Sequence, residues 1–188
     1  MSFRVLIADD EALNRQDLKE LLVELGYSVT AEARDGRQAL ALVEAHKPDV
    51  VILDIMMPYI NGIEVAKQIS HEYPVIMLTA HSSPDFIHDA RDAGVMAYLT
   101  KPYREKDIGP AIELAVTHFM REAHLSERVN TLAQQLEARK IIERGKSLLM
   151  QHQQLSEMDA YRQMQKLSME KNISMKQVAE MVIALLNK

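Results

Sequence analysis

Four places along the chain carry residues that could do chemistry together: the acidic pair Asp9-Asp10, then Asp54, Thr79 and Lys101. Each follows a short apolar run: Val5-Leu6-Ile7-Ala8, Val50-Val51-Ile52-Leu53, Val75-Ile76-Met77-Leu78 and Ala97-Tyr98-Leu99-Thr100. A carboxylate at the end of a buried strand costs free energy unless its charge is matched. Three such groups at close range raise one another's pKa or demand a cation. A hard divalent ion with oxygen ligands answers that demand, and Mg2+ held by carboxylates and water fits. Such an ion neutralises charge on an incoming phosphoryl group. Lys101 adds a compact positive charge and Thr79 a hydroxyl donor. Asp54 is then placed as a nucleophile that forms an acyl phosphate.

These residues meet only if the runs are parallel strands of one sheet, because ligands in such sheets bind at the strands' carboxyl ends. Short apolar runs alternating with helical stretches predict that arrangement. The helical stretches begin near Glu11, Asp35-Gly36, Asn61-Gly62, Ser83-Pro84 and Arg104, and Tyr27 to Ala33 supplies a further strand. Five strand–helix units with short loops predict a three-layer α/β domain, its parallel five-stranded sheet doubly wound.

From Ile108 to about His152 few helix breakers occur. Leu125, Val129, Leu132 and Leu136 fall at i, i+4, i+7 and i+11, the seam of a two-heptad coiled coil. A single helix laid against its own domain would leave the same pattern. Ser156 to Lys171 opens as an N-cap with an acid three residues on, and Ser174 to Leu186 carries an apolar stripe. Helices this short are marginal alone, so the last ~50 residues are expected to pack as a three-helix bundle.

With 188 residues, 47% apolar and 26% charged, the composition is that of an ordinary globular protein. Absence of cysteine excludes disulfides and thiolate metal sites. No apolar run approaches the roughly 20 residues that span a bilayer, and a strand from residue 5 leaves no room for a signal peptide. A cytoplasmic protein without membrane contact is expected. Residues 1–135 hold 13 Lys+Arg against 21 Asp+Glu, a charge of -8, whereas residues 136–188 hold 9 against 6, or +3. The acidic part suits a cation; the basic tail suits a polyanion or is merely a solvated face.

Ile7-Ala8-Asp9-Asp10-Glu11, Leu53-Asp54-Ile55-Met56-Met57-Pro58, Leu78-Thr79-Ala80 and Leu99-Thr100-Lys101-Pro102 together resemble the receiver domain of bacterial two-component response regulators. The resemblance implies a domain over residues 1–122 that accepts a phosphoryl group on Asp54 from a sensor histidine kinase. It implies Mg2+ bound by Asp10 and Asp54, by the Met56 carbonyl and, through water, by Asp9. Thr79 and Lys101 would contact the phosphoryl group, with Tyr98 as the aromatic that turns inward. Lys101-Pro102 is a candidate cis peptide. Met56 and His81 would flank the route of the hydrolytic water, and since Met56 cannot hold that water, slow self-dephosphorylation is expected. No external substrate is turned over, so an enzyme in the usual sense is not expected.

The tail resembles the ANTAR domain, a three-helix module that binds RNA hairpins and acts in transcription antitermination. Leu136 to Met150, Leu155 to Tyr161 and Ser174 to Ala179 carry the likeness. Gly145 and Ser168 depart from it, each standing where the family usually has Ala. The division expected is a coiled-coil linker over 123–136, continuous with the preceding helix, and the RNA-binding bundle over 137–188. Arg139 with Lys146, and Lys140 with Arg144, form two adjacent basic ridges suited to RNA phosphates. Tyr161 stacks on a base or sits in the core; Arg162 and Lys166 are further candidates. The function expected is a phosphorylation-controlled antiterminator, dimeric when phosphorylated, acting on hairpins in mRNA leaders and so indirectly on RNA polymerase. A DNA-binding output or a purely protein-interaction tail is the alternative.

Overall fold

The computed structural model describes residues 2–80 and 84–186, the side chains of 84–87 excepted. Two compact units emerge, Met1–Ala123 and His124–Lys188. In the first, five strands, β1 (Arg4–Ala8), β2 (Ser28–Ala33), β3 (Val50–Asp54), β4 (Val75–Thr79) and β5 (Ala97–Thr100), form one parallel sheet in the order β2-β1-β3-β4-β5. They alternate with α1 (Ala12–Glu24), α2 (Gly36–His46), α3 (Gly62–Ile69) and α4 (Pro84–Asp92). α5 (Glu105–Gln153) follows and runs through the segment read as a linker; α6 (Glu157–Lys171) and α7 (Met175–Leu186) complete the second unit. The expected α/β architecture, a doubly wound five-stranded sheet followed by a long helix and a helical output, is the one observed.

Strand side chains alternate faces, and here both faces are apolar. Leu6, Ala8, Val51, Leu53 and Met77 pack with Ala39 and Val43 of α2 and Val65 and Ala66 of α3. Val5, Ile7, Ile52, Ile76 and Leu78 pack on the other face with Leu18 and Leu22 of α1 and Ile108 and Ile112 of α5. That is why β3 and β4 are buried end to end and read as unbroken apolar runs. Helix starts follow local chemistry: Asp35 and Asn61 cap α2 and α3 by accepting from the Gln38 and Glu64 amides at 2.8 Å each.

In the second unit Leu149, Ala160, Met164, Val178, Ala179 and Val182 form a core shared by the end of α5, α6 and α7. Ser156 caps α6, its hydroxyl accepting from the Asp159 amide at 3.2 Å. Leu125, Val129, Leu132 and Leu136 all remain exposed.

Candidate functional site

The β1–β3 boundary is where connections leave the sheet in opposite directions, and the chemistry gathers there. Ladder register sets the ends level: Ala8 faces Leu53, Asp54 faces Leu78 and Thr79 faces Thr100. Asp54 is therefore the last residue of β3, and Asp9 lies one residue beyond β1. Asp9 is 1% exposed and Asp54 6%, whereas Asp10 is open to solvent. Their carboxylates lie within 4.8 Å of one another. Lys101 reaches across from beyond β5, its ammonium 2.6 Å from Asp9 Oδ2 and 2.9 Å from Asp54 Oδ1. Its amide donates to the Thr79 carbonyl at 2.8 Å, and the Lys101-Pro102 bond is cis. Thr79 is buried and Tyr98 half-buried. Asp10, Glu11, Asp54, Met56, Thr79 and Lys101 line one open pocket.

Backbone approach also shapes this end of β3. A Cβ on Gly62 would fall 2.1 Å from the Asp54 carbonyl oxygen, so glycine there lets the start of α3 close over the strand. The Gly62 amide donates to the Ile55 carbonyl at 3.0 Å.

Burial pushes the Asp54 pKa up, and the Lys101 ammonium offsets this only in part. Burial acts on Lys101 in the opposite sense, but its hydrogen bonds to Asp9 and Asp54 prevail and its pKa is raised. Three carboxylates gather where only two of them meet the Lys101 ammonium, so the pocket is rich in anionic oxygen. All donors are oxygen, so the set fits a hard divalent cation.

In the second unit the expected basic ridges are only partly present. Arg139, Lys140 and Arg144 are exposed on α5, and Arg162 and Lys166 on α6. Lys140 pairs loosely with Glu137 at 3.9 Å and Lys166 with Glu170 at 3.7 Å. Arg139, Arg144 and Arg162 make no ion pair among the described residues. Tyr161 is 47% exposed rather than in the core. Lys146 is a correction. It is 7% exposed, and its ammonium sits 2.7 Å from both Glu143 Oε2 and Glu157 Oε1. Those bonds raise its pKa and lower that of Glu157. The side chain fastens α5 to the first turn of α6 and is not part of an open basic face.

The two departures from the ANTAR pattern also have places. At Gly145 a Cβ would fall 2.9 Å from the Ala179 Cβ, so glycine admits α7. The Ser168 hydroxyl donates to the Ile173 carbonyl at 2.6 Å, satisfying a group past the end of α6.

Comparison with known proteins matches residues 5–113 to the response regulator receiver domain and residues 130–183 to the ANTAR domain. The chain is 48% identical over 182 residues to the transcriptional regulatory protein PdtaR of Mycobacterium tuberculosis, covering 96% of this chain and 89% of that one. The chain belongs to the ANTAR-type two-component response regulators. Its receiver is 37% identical over 115 residues to the chemotaxis protein CheY of Bacillus subtilis, covering 60% of this chain and 96% of CheY. It also superposes on the receiver domain of NarL from Mycobacterium tuberculosis with a TM-score of 0.58 at 34% identity, covering 62% of this chain and 97% of that domain. Receiver-plus-ANTAR regulators are not a family of catalytic enzymes.

Two receiver residues escape a reading by motif. Arg15 donates to the Asp9 and Asp10 carbonyls at 2.7 and 3.3 Å, holding the acidic corner from behind. Tyr103 donates its hydroxyl to the Asn14 carbonyl at 3.2 Å. Neither carried a signal beyond its place, Arg15 in the first turn of α1 after the acidic pair and Tyr103 as an aromatic ring near Lys101. Met56 projects into solvent at the pocket rim, 71% exposed. His81, its expected counterpart, lies outside the described residues.

Proposed function

We propose that the chain is a phosphorylation-controlled, RNA-binding transcription antiterminator of the cytoplasm. One observation carries the reading: a buried Asp54 stands beside two further carboxylates and the Lys101 ammonium in a chain that also carries an ANTAR domain. The proposed division is a receiver over residues 1–122, a coiled-coil linker over 123–136 and an RNA-binding bundle over 137–188.

Asp54 is the phosphoacceptor for a sensor histidine kinase. A carboxylate oxygen bonds to phosphorus while the phosphorus–nitrogen bond of phosphohistidine breaks, and the imidazole leaves with the electron pair. Asp10, Asp54 and the Met56 carbonyl, with Asp9 through water, would hold Mg2+, which would supply positive charge against the phosphoryl oxygens. Lys101 starts 2.9 Å from Asp54 Oδ1 and needs little movement to meet an oxygen carried there. Thr79 offers its hydroxyl to another, and Tyr98 follows Thr79 inward. Exposed Met56 has no group that orients water, so self-dephosphorylation is slow.

The exposed seam from Leu125 to Leu136 suits a homodimer favoured by phosphorylation, with Leu at one core position and Val or Leu at the other. The paired bundles then engage hairpins in nascent mRNA and act on RNA polymerase through the transcript. No described helix is long and apolar enough to cross a membrane. Arg139, Lys140, Arg144, Arg162 and Lys166 meet phosphates, and exposed Tyr161 stacks on a loop base.

Replacing Arg139 and Arg144 together by Ala is expected to weaken binding to a leader hairpin. The variant should also flatten the slope of log affinity against log salt by about 1.4, at roughly 0.7 per phosphate contact. Filter binding across a salt series reads both. An unchanged slope, or equal affinity for duplex DNA, contradicts the RNA reading.

A further inference from the structure

We infer that Tyr103 is a positioning residue for the acidic pocket, tying the corner that carries Asp9 and Asp10 to the loop that carries Lys101. The inference rests on the proposed reading of that pocket as a Mg2+ and phosphoryl site. Strands β1 and β5 are separated by β3 and β4, so no ladder hydrogen bond sets the distance between the two loops. The direct link between them is the ion pair of Lys101 with Asp9 at 2.6 Å. That link would be given up in the reaction, since Asp9 would turn to the cation and the Lys101 ammonium to the phosphoryl oxygens.

The hydrogen bond from the Tyr103 hydroxyl to the Asn14 carbonyl at 3.2 Å joins the same two regions, and neither cation nor phosphoryl group competes for it. A carbonyl has two lone pairs, so Asn14 can accept this bond beside its helical one. The next residue, Arg15, donates to the main-chain carbonyls of Asp9 and Asp10 at 2.7 and 3.3 Å. Tyr103, the first turn of α1 and the acidic corner thus form one connected strap. The Tyr103 ring is half-buried against the α1 and α5 face of the core. Burial pushes its pKa up to about 12, so the hydroxyl remains a donor throughout the neutral range.

Tyr103→Phe keeps the ring and removes the strap. In the full chain, calorimetric titration with Mg2+ is expected to show a dissociation constant raised about fivefold, the worth of one neutral hydrogen bond. Modification by a small phosphodonor should slow in step with the lost Mg2+ occupancy at low Mg2+ and recover in part as Mg2+ is raised. A lowered melting temperature with unchanged Mg2+ affinity would mean a purely structural tyrosine and overturn the inference. If neither protein took up a phosphoryl group, the phosphoacceptor reading would fail, while the two Mg2+ affinities would still decide the role of Tyr103. A wild-type chain that bound no Mg2+ would overturn both.

Discussion

Asp54→Asn is expected to abolish uptake of a phosphoryl group from a small phosphodonor and, with divalent cations removed, to raise the melting temperature of the receiver. The first effect follows from loss of the nucleophile. The second follows from the cost of keeping this carboxylate where it is. Folding raises the Asp54 pKa above its ordinary value of 3.8, chiefly by burial. A carboxyl with a raised folded pKa contributes stability that is complete below the unfolded value and is lost as the pH climbs through the folded one. At neutral pH the ionised Asp54 therefore works against the fold, and an amide, which cannot ionise, removes that penalty. Lys101 is not orphaned, since Asp9 stays 2.6 Å away. The gain should be on the order of 1 kcal/mol, as when other functional sites are relaxed, which amounts to a few degrees for a domain of this size. Intact mass and thermal melts at several pH values read both effects. An Asp54→Asn chain that still gained a phosphoryl mass, or that melted lower at neutral pH, would contradict this account of the site.

Gly145→Val should disrupt the ANTAR unit and spare the receiver. A Cβ at 145 would stand 2.9 Å from the Ala179 Cβ and 3.0 Å from its Cα, and valine adds two methyl groups there. Overpacking of this kind costs about 1–3 kcal/mol or more, against a core of few large side chains. RNA binding and the helical melting of this unit should weaken together, while phosphorylation of Asp54 proceeds. Gly145→Ala is milder, because the better helix propensity of alanine, about 1 kcal/mol, offsets part of the clash. Wild-type melting of the valine variant would show that α5 and α7 do not meet at this residue.

The parts legible from sequence are those in which one periodicity decides the outcome. The runs before Asp54 and Thr79 are unbroken because both faces of β3 and β4 are covered, and the chemistry follows at their ends. Asp35, Asn61 and Ser156 announced helix starts because capping is local. Lys146 was misread because helical spacing assigns a face but does not reveal what lies opposite. Its partner Glu157 comes after the corner at Gln154, where the backbone turns to a φ of 52°. Gly145 reads as a weak helix residue until Ala179 is seen against it. Tyr103 and Asn14 are 89 residues apart and meet through a main-chain acceptor, which no side-chain pattern can encode.

In the proposed function, phosphate on Asp54 and RNA grip in the tail are coupled. Titrating a fluorescent leader hairpin with the full chain, unmodified and phosphorylated, and following anisotropy reads that coupling. Coupling between two sites is reciprocal and typically worth 1–3 kcal/mol. Phosphorylation is therefore expected to tighten binding about tenfold, with two chains bound per paired-hairpin RNA. Equal affinity of the two forms, at one chain per RNA, would contradict the account.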